Sequence, residues 1–162
     1  MRTKLTTVLS LVLVSSISAR TYRIPEDEPV ARIAVPNGWK TAQHEEFLES
    51  TPRNGTCHLL VLAVEGRKPA ETMLEAMRYI RRNGTVKVDA QSEKREEMKI
   101  GATPIRTFTW DATEKNQPIR IRCHLFSELN GKRLLVVFWS PLEGEKKYQR
   151  DLNQILESVQ VP

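Results

Sequence analysis

Residues 119–139 read IRIRCHLFSELNGKRLLVVFW, and this stretch predicts the centre of a β-sheet. Its second half, from Arg133 to Trp139, is apolar at successive positions, which is typical of a strand buried on both faces. Asn130-Gly131 is the strongest hairpin signal in the chain. The first half is apolar at every second position, which predicts a strand with one fully buried face: Ile119, Ile121, Cys123 and Leu125.

Other strands are predicted on both sides of this hairpin. Residues 57–64 (CHLLVLAV) are also apolar on both alternating faces, so a second central strand is expected there. Residues 86–100 are polar and weakly alternating, which favours one edge strand or two short ones protected by their charges. Two further strands are predicted at 32–36 and 44–50, and one more at 105–112.

Two segments have helical periodicity. Residues 69–83 begin with proline in the first turn, where a missing N–H costs nothing, and repeat apolar side chains at helical spacing: Met73, Leu74, Met77 and Ile80. Residues 145–159 carry a second apolar stripe: Tyr148, Leu152, Ile155 and Val159. Each segment is therefore predicted to pack one face on the sheet.

The order of these elements predicts the fold class. Strands mostly follow one another, so the sheet should be predominantly antiparallel, with about six or seven strands. Two strands that are apolar on both faces need a covering layer on each side. We therefore expect an α/β/α three-layer sandwich of the α+β class, with a helix on each face.

The N-terminus has the features of an export signal. Arg2 and Lys4 precede a mostly apolar run at 5–17, and Ala19 offers a small residue for cleavage. A buried first strand is the alternative interpretation. We predict a signal peptide at 1–19, an extended N-terminal segment at 20–31 and a single domain at 32–162. The product would then be periplasmic or secreted.

The charge is mild. The chain has 25 basic and 20 acidic residues, and loss of Arg2 and Lys4 would leave a net charge of +3. The basic residues are scattered, so nucleic acid is not an expected partner. No segment after the signal reaches the length needed to span a bilayer.

The two cysteines, Cys57 and Cys123, could form a disulfide in an oxidising compartment. They could equally be two buried thiols that pack as small apolar residues. Each cysteine is followed by a histidine, but successive strand residues point to opposite faces, so a shared metal site is not expected. We find no nucleophile elbow and no phosphate-binding glycine loop, and we expect neither a cofactor nor catalysis.

Three stretches resemble a known family. They are IAVPNGW at 33–39, Gly101-Ala102 at the start of a strand meander, and ILESV at 155–159. Together with the order of elements they are similar to the PsbP-like superfamily, which includes the photosystem II extrinsic protein, the Ran-release factor and bacterial exported proteins. The resemblance, to an exported bacterial member in particular, implies an α/β/α sandwich and a non-catalytic role in partner binding or assembly. It implies no active-site motif.

The leading functional prediction is therefore a non-catalytic exported module that binds a protein or assists envelope assembly. One alternative is small-molecule or lipid binding between sheet and helix, where the flexible Met73 and Met77 could open an apolar face. A hydrolase without a recognisable motif is the second alternative.

A partner-binding face is predicted on the exposed side of the 119–139 hairpin together with the turn before Trp39. Its basic residues would suit an acidic partner surface, and the expected set is Trp39, Arg120, Arg122, His124 and Arg133. The alternatives are a solvated sheet edge for the charged residues and a cap on the edge of the core for Trp39.

Overall fold

The computed structural model describes residues 18–53, 55–65, 68–82, 86–129 and 131–160. Within these ranges the chain forms ten strands and two α-helices. They are β1 (Ala19–Ile24), β2 (Ala31–Pro36), β3 (Trp39–Gln43), β4 (Phe47–Pro52), β5 (His58–Glu65), α1 (Pro69–Arg82), β6 (Val86–Val88), β7 (Lys94–Ile100), β8 (Thr103–Glu114), β9 (Gln117–Leu129), β10 (Lys132–Ser140) and α2 (Leu142–Glu157). A short 3-10 helix, Ala90–Ser92, separates β6 from β7.

Eight strands form one antiparallel sheet, in the order β3-β4-β5-β10-β9-β8-β6, with β7 also paired to β8. The predicted count of six or seven strands is wrong because β3 was missed. This strand begins at Trp39, directly after the Asn-Gly turn, and pairs with β4. The antiparallel character is confirmed by the register of every pair of strands in the described chain.

The two strands predicted to be central, β5 and β10, lie side by side. Their residues alternate between two hydrophobic clusters, as burial on both faces requires. One cluster contains Leu59, Val61, Leu134 and Val136, together with Leu152, Ile155 and Leu156 of α2. The other contains Leu60, Leu62, Leu135 and Val137, together with Met73, Ala76 and Ile80 of α1. We call them the α2-side cluster and the α1-side cluster.

The C-terminal part of α2 is tied to β2. The Ser158 hydroxyl accepts a hydrogen bond from the Ala34 backbone N–H at 2.8 Å and donates to the Ile155 carbonyl at 2.6 Å. Backbone hydrogen bonds join Arg32 and Gln160 in both directions, at 2.8 and 2.9 Å. The ILESV stretch therefore both ends the helix and holds it against the first strand of the predicted domain.

The segment predicted to be extended, 20–31, contains most of β1, which pairs with β2 as a separate two-stranded sheet. Ile24 and Val30 are buried, so this segment packs with the rest of the protein. The predicted signal peptide lies mainly at 1–17, outside the described residues. No helix in the described ranges is long and apolar enough to span a bilayer.

Both cysteines are free and buried, so the disulfide interpretation is wrong and the alternative of two buried thiols is correct. Cys57 lies in the α2-side cluster and Cys123 in the α1-side cluster, which places their side chains on opposite faces of the sheet. Burial raises the pKa of Cys57 to about 12 and raises that of Cys123 as well. Neither sulfur is therefore a thiolate at neutral pH.

Candidate functional site

The polar face of β9 lies beside α2, where it lines a cavity of about 290 Å³. The strands β7, β8 and β9 form one wall, and α2 forms the other. We call this cavity the α2 groove and define it by Lys94, Thr107, Arg122, His124, Glu145 and Asn153. Arg120 lines it as well. The strict alternation of β9 places Arg120, Arg122 and His124 on this face, while the intervening residues Ile121 and Cys123 enter the α1-side cluster.

His124 is the most buried polar residue of the groove, with 3% of its surface exposed. Its Nδ1 lies 2.9 Å from the hydroxyl oxygen of Thr107, which is directly opposite on β8. Its ring packs beside that of Phe138 on β10, with ring centres 5.1 Å apart. Burial, assisted by the positive charge of Arg122, lowers the pKa of His124 to about 4. The imidazole is therefore neutral at pH 7.

The two arginines of the groove are neutralised by acidic side chains. Arg122 Nη2 lies 2.6 Å from Oε1 of Glu145, near the start of α2. Arg120 lies 3.7 Å from the same carboxylate and 3.3 Å from Asp111 of β8. Only 15% of the Glu145 side chain is exposed, so this carboxylate is held between sheet and helix. The groove is therefore a charge-balanced cleft, and the open basic surface predicted from the sequence is not present here.

Two polar atoms of this site have no hydrogen-bond partner. They are Nε of Arg122 and Nε2 of His124. Every other buried side-chain nitrogen or oxygen in the described residues has a hydrogen-bond partner. A buried polar atom without a partner costs about 1–3 kcal/mol, so proteins keep few of them. Both atoms belong to side chains that line one cavity, so this groove is the candidate binding site.

The other two residues predicted for this face lie elsewhere. Arg133 is directly opposite Val64 of the α1-side cluster and forms an ion pair with Glu128 at 3.5 Å. Trp39 is buried in the α2-side cluster, where its indole Nε1 donates to Asp151 at 2.9 Å. Trp39 therefore lies in the core, where a cap on its edge would lie, and it does not line the α2 groove.

Thr107 and Glu145 were missed by sequence reasoning. Thr107 would have followed from the register of β8 against β9, which is set by the turn at Lys115 and Asn116, two non-glycine residues with positive φ. Glu145 lies in the first turn of α2, and helix periodicity alone does not show which strand it faces. No group of three or more metal-binding side chains occurs among the described residues.

A second cavity, of about 680 Å³, lies between α1 and the sheet. Its apolar wall includes Phe47, Leu60 and Leu62, and charged residues such as Arg78 and Arg82 line it as well. Met73 belongs to the α1-side cluster and Met77 packs against it, and neither lines this cavity.

Comparisons with known proteins identify the fold. No protein-family model matches the sequence, and no curated protein matches it. Among solved structures, cyanobacterial PsbP (CyanoP) from Synechocystis sp. PCC 6803 matches with a TM-score of 0.61 and 11% identity over 96% of this chain and 99% of that protein. The chain therefore has the PsbP-like fold, as the sequence resemblance predicted.

Two further structures match at similar identity. LpqN, involved in cell envelope biogenesis of Mycobacterium tuberculosis, has a TM-score of 0.54 and 9% identity, covering 89% of this chain and 92% of that protein. A protein from Bacteroides thetaiotaomicron has a TM-score of 0.56 and 11% identity over 82% of this chain, which spans only 45% of that protein. At these identities the likeness is one of fold.

Proposed function

We propose that this chain is a non-catalytic, exported binding module that recognises an acidic segment of a partner protein at the α2 groove. The observation that carries the proposal is the pair of unpartnered buried atoms, Arg122 Nε and His124 Nε2. A side-chain or backbone oxygen of a partner would supply the acceptor that Arg122 Nε lacks. The likeness in fold to LpqN, a protein of cell envelope biogenesis, supports a role at the envelope.

The three-layer arrangement is part of this proposal. The buried residues of α1 and α2 belong to different clusters, and β5 and β10 contribute alternate residues to each. This supports an α/β/α sandwich with a helix on each face of the main sheet. In this arrangement α2 covers only part of one face of the main sheet. The α2 groove lies along the edge of the helix, beside β7 and β8.

The chemistry of the described residues supports a binding role over a catalytic one. Both cysteine thiols have raised pKa values and lie in hydrophobic clusters, which disfavours a thiolate nucleophile. The His124 ring has Thr107 as its hydrogen-bond partner, and a neutral imidazole paired with a hydroxyl lacks the carboxylate that orients a typical catalytic histidine. Cleavage after Ala19, with release of a soluble chain of one domain, completes the proposal.

Affinity capture from the native envelope tests this function. The tagged protein, Arg122→Gln and Arg106→Gln would be compared, with mass spectrometry of the proteins that copurify. Arg106 lies on the opposite face of β8 and pairs with Glu97 at 3.4 Å, so it is a matched loss of one charge outside the groove. We expect one stoichiometric partner with the wild type and with Arg106→Gln, and its loss with Arg122→Gln. Equal capture by all three would contradict the α2 groove as the binding site.

Reversal of charge in the groove gives a kinetic test. Arg120→Glu with Arg122→Glu should slow association with the captured partner at low salt, because the charge-balanced groove becomes acidic and repels an acidic segment. Unchanged association rates at low salt would contradict the proposal.

The cavity between α1 and the sheet supports a second candidate function, the binding of a small molecule or a lipid. Its volume of about 680 Å³ lies within the usual range of ligand pockets, about 300–1,000 Å³. Extraction of the purified protein with organic solvent, followed by mass spectrometry, would detect a copurifying lipid. Leu62→Trp, which narrows the cavity, should remove that lipid if it binds there.

A further inference from the structure

We infer that the α2 groove contains a carboxylate-binding subsite in which Arg122 Nε and His124 Nε2 are the two direct donors. The ligand class is a single carboxylate group, either of a small free acid or of an acidic side chain of the partner. The inference rests on the proposed function in taking the α2 groove as the recognition site, and it names the chemical group that is recognised.

The first argument is that Arg122 Nε can only donate. A guanidinium carries five N–H donors and no acceptor. Nη2 of Arg122 is held by Glu145 at 2.6 Å, while Nε is buried without a partner. A group that completes this site must therefore present an acceptor, and a charged acceptor forms the stronger hydrogen bond.

The second argument concerns the tautomer of His124. Its ring is neutral, so one nitrogen carries a proton and the other does not. If Nδ1 donated to Thr107, the Thr107 hydroxyl would need another acceptor, and no second partner for it occurs among the described residues. The hydroxyl therefore donates to Nδ1, and Nε2 carries the proton. Nε2–H is then a second donor, on a residue that lines the same cavity.

Together these two donors fit a carboxylate. Arg122 and His124 are two residues apart on one strand, so their side chains leave the same face of the sheet and are separated by about 7 Å at their Cα atoms. The two oxygens of one carboxylate can each accept one N–H. The positive charge of Arg122 adds attraction that a neutral carbonyl would not gain. A cavity of about 290 Å³ accommodates a small acid or the end of one acidic side chain.

Glu145 provides an internal comparison. Its carboxylate already binds Nη2 of Arg122, so this guanidinium already pairs with one carboxylate of the chain itself. The proposed ligand would share the guanidinium with Glu145 and would also be repelled by it. Removal of the Glu145 charge should therefore strengthen binding of a carboxylate and leave binding of an uncharged molecule unchanged.

Titration by nuclear magnetic resonance tests the subsite. Sodium acetate and N-acetylglutamate N-methylamide serve as probes for a free acid and a partner side chain, with sodium chloride at equal ionic strength and acetamide as controls. We expect at least one carboxylate probe to shift the Arg122 Nε–Hε and His124 imidazole signals in a saturable way. Neither control should do so. The probe that binds more tightly identifies the source of the carboxylate.

Measurements on point variants distinguish a carboxylate-binding subsite from a groove that holds only ordered water. Arg122→Gln and His124→Phe should each weaken carboxylate binding about tenfold or more, as expected for loss of a charge-assisted hydrogen bond. Arg106→Gln should leave it unchanged. Glu145→Gln should tighten binding several-fold, whereas Glu97→Gln, a matched change on the other face of β7, should have no effect. The Glu145 variant also keeps the test valid if a substitution at His124 prevents folding.

The outcomes have distinct meanings. Absence of a saturable shift with both carboxylates, or binding that is insensitive to Arg122→Gln and Glu145→Gln, would overturn the subsite. If partner capture still depended on Arg122 in that case, the proposed function would stand without it. If acetate bound as expected and no partner were captured, the subsite would stand and the protein-binding function would fail.

Discussion

Trp39 and Asp151 are joined by a hydrogen bond of 2.9 Å from the indole Nε1 to the carboxylate Oδ2, across 112 positions of sequence. Trp39 is the first residue of β3, and Asp151 lies in the middle of α2. The indole is 6% exposed, and its ring meets the edge of the Tyr148 ring at 5.8 Å. Two of the three stretches that carry the family resemblance, those around Trp39 and around Ser158, therefore anchor α2.

Removal of the acceptor should destabilise the fold. Asp151→Ala leaves a buried indole N–H without a partner, and we expect a loss of about 1–3 kcal/mol in the free energy of unfolding. Asp151→Asn retains an acceptor oxygen and should cost less than half as much. Urea unfolding followed by tryptophan fluorescence measures both. Equal losses would show that the negative charge, and not the hydrogen bond, is what stabilises the helix.

Gly55 is required by the position of Tyr148. A Cβ atom at residue 55 would lie 2.6 Å from Cε2 of the Tyr148 ring. Because that ring is packed against Trp39, it cannot easily move aside, and Gly55→Ala should cost about 1–3 kcal/mol. Gly38→Ala is the matched control, since no atom lies within 4 Å of its added Cβ. Similar stability of the two variants would show that the Tyr148 ring relocates at little cost.

Much of the fold could be predicted from periodicity. The apolar runs in β5 and β10 indicated strands buried on both faces, and the helical stripes located α1 and α2 to within three residues at each end. The sequence of β3, WKTAQ, gives no such signal, since only Trp39 of this edge strand is buried. β1 was described as extended, and nothing in its sequence indicated that it pairs with β2.

The candidate site was predictable only in part. Alternation along β9 correctly grouped Arg120, Arg122 and His124. Arg133 was assigned to the same face because the hairpin was taken as regular. In the structure the pairing of β10 with β9 shifts in register between Arg133 and Leu135. This β-bulge changes which residues of the two strands share a face, and the sequence pattern did not indicate it. Partners such as Glu145 depend on helix docking, which local patterns do not encode.

The cysteines should behave as two buried thiols. Cys57, with a pKa raised to about 12, and Cys123, which is fully buried, should react slowly with a thiol reagent at pH 8 in the native protein. Unfolding in denaturant without reductant should expose two titratable thiols per chain. Absence of thiols until reduction would show that the cysteines are bridged, either to each other or between chains.

Stability should fall in acid because of His124. Its pKa is about 4 in the folded protein and about 6.5 when unfolded, so between these values the unfolded chain binds more protons. The contribution of a neutral His124 is therefore fully present above pH 6.5 and is lost as the pH falls toward 4. The pKa of His58 is also lowered by burial, which acts in the same direction.

The size of this effect can be isolated with a variant. His124→Gln removes the titrating group and keeps a polar side chain beside Thr107, while His58 and the carboxylates of the groove, Glu96, Asp111 and Glu145, are present in both proteins. From pH 7 to pH 4.5 the wild type should lose about 2 kcal/mol more of its unfolding free energy than His124→Gln does. Urea unfolding at a series of pH values measures the difference. Parallel curves for the two proteins would show that folding does not lower the pKa of His124, and that its Nε2 then faces solvent or an acidic group.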